Sequence, residues 1–211
     1  MQEDYFTISE KFTYELTEKK SNFIGICVPI KDDREASEFI EKVRHKYPDA
    51  RHNVYAYSVN VNGVLAERYS DDGEPKGTAG VPLLEAIHKS GLSNVLVTVT
   101  RYFGGILLGA AGLTRAYSNT ASSALNGAKR IRMKFSNQYE IIIRYDLYGK
   151  ISKYLETIRC IQKAPDFGET VKLNVTIPAS EEESFMKNMN EITSGDFVCK
   201  LLVKGFYNID G

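Results

Sequence analysis

The sequence predicts an α+β protein with two domains, on three observations. The first half of the 211-residue chain alternates strand-like and helix-like segments. The run NGAKRIRMKF then combines a helix-ending glycine with clustered basic residues, as at a domain boundary. After this run the pattern restarts as strand, helix, two strands, helix and strand, which is the ferredoxin-like βαββαβ order. We therefore expect domains at residues 1–132 and 133–211.

The first domain begins with a strand and a helix. NFIGICVPI is almost wholly apolar, which indicates a buried strand. Asp32 and Glu35 stand three residues apart, as in a capping box, and predict the start of a helix. Apolar residues then recur at helical spacing until Pro48, which ends the helix.

A hairpin is predicted next. NVYAYSVNV alternates so that Tyr55 and Tyr57 share one face, and Asn62-Gly63 is typical of the turn that leads into VLAERYS. The two tyrosines have two interpretations. They are core residues of a sheet, or they form an aromatic surface on which bases stack.

Two helices and a central strand complete the first domain. Thr78 is expected to cap the helix AGVPLLEAIHKS, and Gly91 ends it. NVLVTVTRYF is apolar on both faces, as in a central strand covered on both sides. A helix over about 110–128 has a face of small residues, which allows it to approach a sheet closely.

The second domain follows with four strands and two helices. The strands are predicted in QYEIIIRYDL, IQKAPDFG, ETVKLNVTI and DFVCKLLVKGF. The basic run before them (Lys129, Arg130, Arg132 and Lys134) is either a solvated linker or part of an RNA-facing patch.

Composition limits the classes of function. The 27 basic residues balance 27 acidic ones, so no global field attracts nucleic acid or membrane, and phosphate recognition requires a local patch. No apolar run is long enough to cross a bilayer, and the polar start is unlike a secretory signal. Cys27, Cys160 and Cys199 are odd in number and widely spaced, which favours reduced thiols in a cytoplasmic protein without disulfides.

A glycine-rich block, RYFGGILLGAAGLTRAYS, joins the predicted central strand to the long helix. Glycines at such a turn allow positive φ and the close approach of a ligand, and the helix start then offers free amides to an anion. Two arginines bracket the block and suit a phosphate. The alternative is that the glycines only allow the helix to pack. The candidate binding residues are Arg101, Tyr102, Gly104, Gly105, Gly109, Gly112 and Arg115.

A second, acidic block, SDDGEPKGTAG, lies about twenty residues earlier. Its carboxylates could hold a hard cation, but the block lacks the ligand spacing of an EF-hand. The sequence therefore does not identify a metal ion for this block. The alternative is a tight turn before a helix. We expect salt bridges from Asp71 or Asp72 to Arg101 or Arg115, which would join the two blocks into one exposed pocket. The candidate binding residues are Asp71, Asp72, Gly73, Glu74, Gly77 and Thr78.

The sequence contains no evident catalytic residues or cofactor motif. His52 begins a strand near no recognisable nucleophile, and no hydroxyl or thiol is paired with a base and an orienting acid. The glycine block lacks the sequences of a P-loop and of a Rossmann fingerprint. We therefore expect no cofactor and favour a binding protein over an enzyme.

Several of these stretches resemble the Impact family in its bacterial, YigZ-like form. The resemblance rests on RHNVYAY, SDDGEPKGTAG and NVLVTVTRYFGGILLGAAGLTRAYS, and KKSNFIG is similar to the family's first strand. It implies an N-terminal domain with the fold of ribosomal protein S5 domain 2, which also occurs in domain IV of elongation factor G. It further implies a C-terminal ferredoxin-like domain similar to domain V of that factor.

The resemblance leaves three functions open. Two consecutive domains like those of a translocase suggest a non-enzymatic protein that binds RNA or the ribosome, with a role in regulating translation. Eukaryotic relatives act in translational control through protein contacts, which implies a protein–protein interaction module. The small-molecule kinases that share the first fold suggest a nucleotide or phosphate enzyme that uses the loop Gly104–Gly112.

Overall fold

A computed structural model describes residues 3–61 and 63–210 of the chain. They form two compact units, one of residues 6–131 and the other of residues 3–5 with 132–210. Each unit has a hydrophobic core of its own. Both combine helices with a sheet, so the predicted α+β class is confirmed.

The N-terminal unit is built on a five-stranded antiparallel sheet of order β2-β3-β6-β4-β5. Its strands are β2 (Phe12–Glu18), β3 (Ser21–Pro29), β4 (His52–Val61), β5 (Val64–Ser70) and β6 (Val95–Tyr102). As predicted, β6 is central, and it is buried from Val95 to Arg101. β4 and β5 form the predicted hairpin with Val61 opposite Val64, while Asn62 lies outside the described residues.

Three helices cover the two faces of this sheet, namely α1 (Asp33–Lys46), α2 (Gly80–Ser90) and α3 (Ala110–Gly127). α1 packs on one face, and α2 and α3 pack on the other. The predicted cap of α1 is confirmed, because the Asp32 carboxylate accepts the Glu35 N–H at 2.8 Å. Gly91 ends α2 with a φ of 66°, as expected of a left-handed helix terminus.

The small-residue face of α3 lies very close to β3. A Cβ added at Gly25 would stand 2.7 Å from Thr120 Cγ2 and 3.2 Å from the Thr120 carbonyl oxygen. Leu113, Tyr117 and the alanines of this face are buried. The expected close approach of helix and sheet is therefore present.

The C-terminal unit has the predicted βαββαβ order. Its elements are β7 (Arg130–Ile143), α4 (Tyr145–Thr157), β8 (Ile161–Gln162), β9 (Asp166–Phe167), β10 (Val171–Pro178), a 3₁₀ turn (Ala179–Glu181), α5 (Glu182–Thr193) and β11 (Val198–Tyr207). β7 lies between β11 and β10, and β8 and β9 pair with the far side of β10. This antiparallel arrangement is ferredoxin-like. β1 (Tyr5–Ile8) precedes β2 in the chain.

The basic run is not a linker, because all of it except Lys129 lies in the start of β7. Arg132 is ion-paired with Asp4 at 2.9 Å and Lys134 with Asp210 at 2.9 Å. The Arg130 guanidinium stacks 4.2 Å from the ring centroid of Phe6. Two of its four cations are therefore neutralised by carboxylates of the protein. No helix among the described residues combines the length and apolar character needed to cross a bilayer.

Candidate functional site

The acidic block folds into a turn that the carboxylate of Asp71 holds together. Asp71 Oδ1 accepts the N–H groups of Gly80 at 2.8 Å and Ala79 at 3.1 Å, and Oδ2 accepts that of Gly77 at 2.8 Å. Asp71 therefore satisfies amides at the start of α2. The prediction that Thr78 caps this helix is wrong, because its hydroxyl donates to the Pro75 carbonyl at 2.7 Å. A carboxylate suits the positive end of the helix better than a hydroxyl does.

Asp72 joins the same turn to β4 with both its side chain and its backbone. Its carboxylate accepts the Asn53 N–H at 2.6 Å and lies 3.6 Å from the Arg44 guanidinium. Its carbonyl oxygen lies 2.9 Å from His52 Nδ1. Gly73 follows with a φ of 84°, a left-handed conformation that glycine adopts without strain.

Glu74 connects the acidic turn to the glycine block. Glu74 and Arg101 are both buried, and Arg101 donates to Glu74 Oε1 at 2.7 Å. The Tyr117 hydroxyl donates to the same oxygen at 2.7 Å. Burial, together with the negative charge of Glu74, raises the pKa of Tyr117 far above its usual range, so this hydroxyl remains a donor.

The two blocks therefore meet, but through Glu74 and not through Asp71 or Asp72. The expected salt bridges from Asp71 or Asp72 to Arg101 or Arg115 are wrong, since Glu74 pairs with Arg101. The carboxylate of Asp71 is already taken by amides, and that of Asp72 faces β4 and Arg44.

Arg101 has hydrogen-bonding capacity left over at the end of β6. Its Nη2 lies 3.4 Å from Ser21 Oγ, at the limit of a hydrogen bond, and its Nε is buried without a partner among the described residues. The guanidinium lies 5.4 Å from the ring centroid of Phe23 and 5.7 Å from that of Phe103. An unpaired buried donor costs free energy.

A cavity of about 170 Å³, here called the Arg101 pocket, opens at this position. Its lining residues are Arg51, His52, Arg101, Phe103 and Leu107. Phe103 is 48% exposed and Leu107 is 82% exposed, so apolar surface surrounds the cationic groups. The pocket is suited to an anion that carries a flat or apolar part.

The tautomer of His52 follows from its contacts. The Asp72 carbonyl can only accept, so His52 Nδ1 carries a proton and donates it. Nε2 is then the free nitrogen, 3.9 Å from Glu74 Oε1.

The sequence did not identify Arg51, His52 or Phe103 as site residues. His52 stands opposite Arg101 in the pairing of β4 with β6. That register brings the histidine and the arginine together, and no local motif encodes it. The sequence signal that could have identified Phe103 is its position as an aromatic residue directly after the central strand, where the chain leaves the sheet.

The glycines of the loop after β6 have different structural roles. A Cβ at Gly104 would lie only 1.9 Å from the Lys20 carbonyl carbon, so this residue allows close packing. Gly105 and Gly109 have φ values of 83° and 72°. Gly112 lies in the first turn of α3, where an added Cβ would contact the Leu108 side chain. The close neighbour of Gly104 is the turn before β3 and not α3, so this contact is not the helix packing that the sequence suggested.

Arg115 and Tyr102 lie apart from the Arg101 pocket. Arg115 contributes to a second cavity of about 360 Å³, the Arg115 groove, together with Leu16, Glu18, Lys19, Leu108 and Gly112. The Tyr102 hydroxyl donates to Asp49 at 2.9 Å. Within residues 3–61 and 63–210, no three His, Cys, Asp or Glu side chains converge as a metal site would require.

Two domain families match the chain. Residues 19–125 match the Impact N-terminal domain, and residues 141–196 match a domain of unknown function, DUF1949. The first match contains both the acidic turn and the glycine block.

Two bacterial relatives match most of the chain, and a human protein matches part of it. The IMPACT family member YvyE of Bacillus subtilis is 36% identical over 92% of this chain and 89% of its own. The IMPACT family member YigZ of Escherichia coli is 33% identical over 84% of this chain and 87% of its own. The human protein IMPACT is 32% identical over 44% of this chain and 30% of its own.

The fold of the whole chain recurs in a solved structure. That structure, described as a hypothetical protein, has a TM-score of 0.64 and 29% identity, and the match covers 96% of this chain and 99% of the other. Together, the two domain matches and the relatives show that this chain belongs to the IMPACT family.

Proposed function

We propose that this protein binds RNA in the cytoplasm, without catalysis, in association with the ribosome or the translation machinery, and that the Arg101 pocket is the binding site. The observation that carries the proposal is an exposed aromatic ring, Phe103, beside the cationic side chains of Arg51 and Arg101. Proteins bind single-stranded RNA by stacking bases on aromatic rings and by holding phosphates with arginine.

The details of the pocket support an anionic ligand. Arg51 is exposed and has no ion-pair partner in the part of the chain that the structure describes. Arg101 is fixed by Glu74 at the wall of the pocket. A phosphate oxygen is an acceptor for both residues, and the fixed position of Arg101 lowers the entropic cost of binding.

The resemblance to two domains of elongation factor G gives a fold-level reason to look for the partner in translation. The zero net charge limits non-specific attraction, so binding depends on the local pocket. Tyr57 does not contribute a stacking surface, because it is buried and its hydroxyl donates to Asp33.

Two direct tests are available. Fluorescence anisotropy measures binding to labelled single-stranded RNA, and co-sedimentation measures binding to ribosomal subunits. We expect Phe103→Ala and Arg51→Ala each to weaken binding about tenfold, as expected for the loss of one stacked base or one phosphate contact. Arg34→Ala is the matched control, because Arg34 is an exposed arginine of α1 on the other face of the sheet. Absence of binding by the wild type at low salt would refute the proposal.

Arg101→Ala is a poor probe of binding. It would leave the buried carboxylate of Glu74 without its cation, and the resulting loss of stability would mask any loss of contact with RNA. Arg51 and Phe103 are accessible at the rim, so their substitution tests recognition more directly.

A second candidate function is contact with a protein of the translation machinery. β11 pairs with β7 and exposes several apolar side chains, each more than two-fifths accessible, at Val198, Leu201, Leu202 and Val203. Such a strand can accept a partner strand along its free edge. Pull-down with and without nuclease separates this function from RNA binding, because a protein contact survives nuclease.

The nucleotide-enzyme alternative receives less support. It needs Asp71 or Asp72 to hold a divalent ion, yet backbone amides already occupy the carboxylate oxygens of Asp71. Thermal shift with nucleotides and magnesium tests it, since a bound ligand raises the melting temperature.

A further inference from the structure

The turn between β2 and β3 has an unusual sequence for its backbone. Glu18 pairs with Ser21, so Lys19 and Lys20 form a two-residue hairpin loop. Their φ values are 45° and 65°, both in the left-handed region. Such a loop favours Asn-Gly, because side chains with a Cβ are disfavoured there. Two lysines therefore reduce the stability of the turn.

This strained turn lies against the candidate site. A Cβ at Gly104 would come within 2.0 Å of the Lys20 carbonyl oxygen, so the glycine loop packs directly on the turn. Lys19 lines the Arg115 groove. The consecutive residues Leu107 and Leu108 line the Arg101 pocket and the Arg115 groove respectively. The pocket and the groove therefore flank a single loop.

The charges at the turn are available for a ligand. Lys19, Lys20 and Arg115 are exposed, and none is ion-paired to a side chain in residues 3–61 or 63–210. Glu18 is the only acid among the residues described as lining the groove. Backbone strain at exposed lysines, beside a groove with a third cation, is typical of a functional turn rather than of one selected for stability.

We infer that Lys19, Lys20 and Arg115 form a second subsite, which binds the phosphodiester backbone of the RNA whose base stacks on Phe103. This inference rests on the proposed function and makes it more specific. The ligand crosses the glycine loop from the Arg101 pocket to the Arg115 groove. The protein therefore recognises a single strand of several nucleotides and not a mononucleotide.

The test is the double variant Lys19→Asn/Lys20→Gly, which replaces the turn with the residues its backbone favours. We expect its melting temperature to rise by about 4 °C, since the strain is relieved. We expect its affinity for a labelled single-stranded oligouridylate to fall about tenfold at low salt. The slope of log K against log salt should decrease in magnitude by about 1, as for one or two lost phosphate contacts.

A charge-matched control is Lys31→Asn/Lys42→Asn. Lys31 precedes α1 and Lys42 lies on it, on the other face of the sheet, and both are exposed. This variant should bind the oligouridylate like the wild type. Uridine monophosphate should not compete with the oligomer, because it cannot reach both subsites.

The outcomes separate the inference from the proposed function. Absence of oligouridylate binding by the wild type refutes both. If the wild type binds and Phe103→Ala weakens binding, the proposed function stands. The inference then fails if Lys19→Asn/Lys20→Gly retains the wild-type affinity and salt slope, gains no stability, or loses no more affinity than the control.

Discussion

Glu74 and Arg101 are the residues on which the candidate site depends. Both are buried, and the Tyr117 hydroxyl adds a hydrogen bond to the same carboxylate oxygen. A buried ion pair adds little net stability, but it fixes its members in position, and removal of one partner is costly. The sequence alone does not show which carboxylate pairs with Arg101, because Asp71, Asp72 and Glu74 lie within four positions. The packing of the folded turn selects Glu74 for this pair.

Glu74→Ala should lower the free energy of unfolding by about 3–5 kcal/mol, because it leaves Arg101 as an uncompensated buried charge. Urea denaturation followed by circular dichroism measures the change. Glu85→Ala is the control, since Glu85 is exposed and pairs with Lys89 at 3.6 Å, and its loss should cost less than about 1 kcal/mol. Equal losses of unfolding free energy in the two variants would contradict the assignment of Glu74 and Arg101 as a buried ion pair.

Cys27 gives a prediction about pH. Burial raises the pKa of its thiol from 9.0 to about 11. The folded state therefore binds the proton more tightly than the unfolded state, and the stability from this group is complete below pH 9 and is lost between pH 9 and about 11. Cys27→Ala should have a smaller alkaline loss of stability than the wild type, measured as urea midpoints across that range. A midpoint that falls equally in both proteins would exclude this role of the thiol.

The starts of the helices show how far local sequence predicts an element. Asp32 and Glu35 predicted the cap of α1 correctly, because the interacting residues are three positions apart. The cap of α2 was not predictable in the same way. Asp71 reaches Gly80 across nine positions, and only the folded turn brings them together. Thr78 was the local candidate, but its hydroxyl bonds within the turn.

Asp71→Ala should destabilise α2 and the acidic turn by about 2 kcal/mol or more, since amides at the helix start lose their acceptor. Hydrogen exchange should then become faster at the amides of Gly77 and Gly80. Thr78→Val should have the smaller effect, because its hydroxyl donates to one carbonyl of the turn. If Thr78→Val were the more damaging change, the assignment of the cap to Asp71 would be wrong.

At the scale of the whole chain, periodicity predicted the two units and the βαββαβ order, because hydrophobic patterning is a local property of each element. It did not predict the Arg101 pocket. Arg51 precedes β4 and His52 begins it. Arg101 lies near the end of β6, and Phe103 directly follows that strand. Only the antiparallel register of these strands brings them together. Of the residues that line this pocket, the sequence therefore indicated only Arg101.

The central claim is that the Arg101 pocket binds single-stranded RNA through Phe103 and the adjacent cations. The most direct measurement is the anisotropy of a labelled oligouridylate titrated with the wild type and with Phe103→Ala at several salt concentrations. We expect the wild type to bind with an affinity that falls steeply as salt rises, and Phe103→Ala to bind about tenfold more weakly with an unchanged salt slope. Equal affinity of the two proteins, or no binding by either, would contradict the claim.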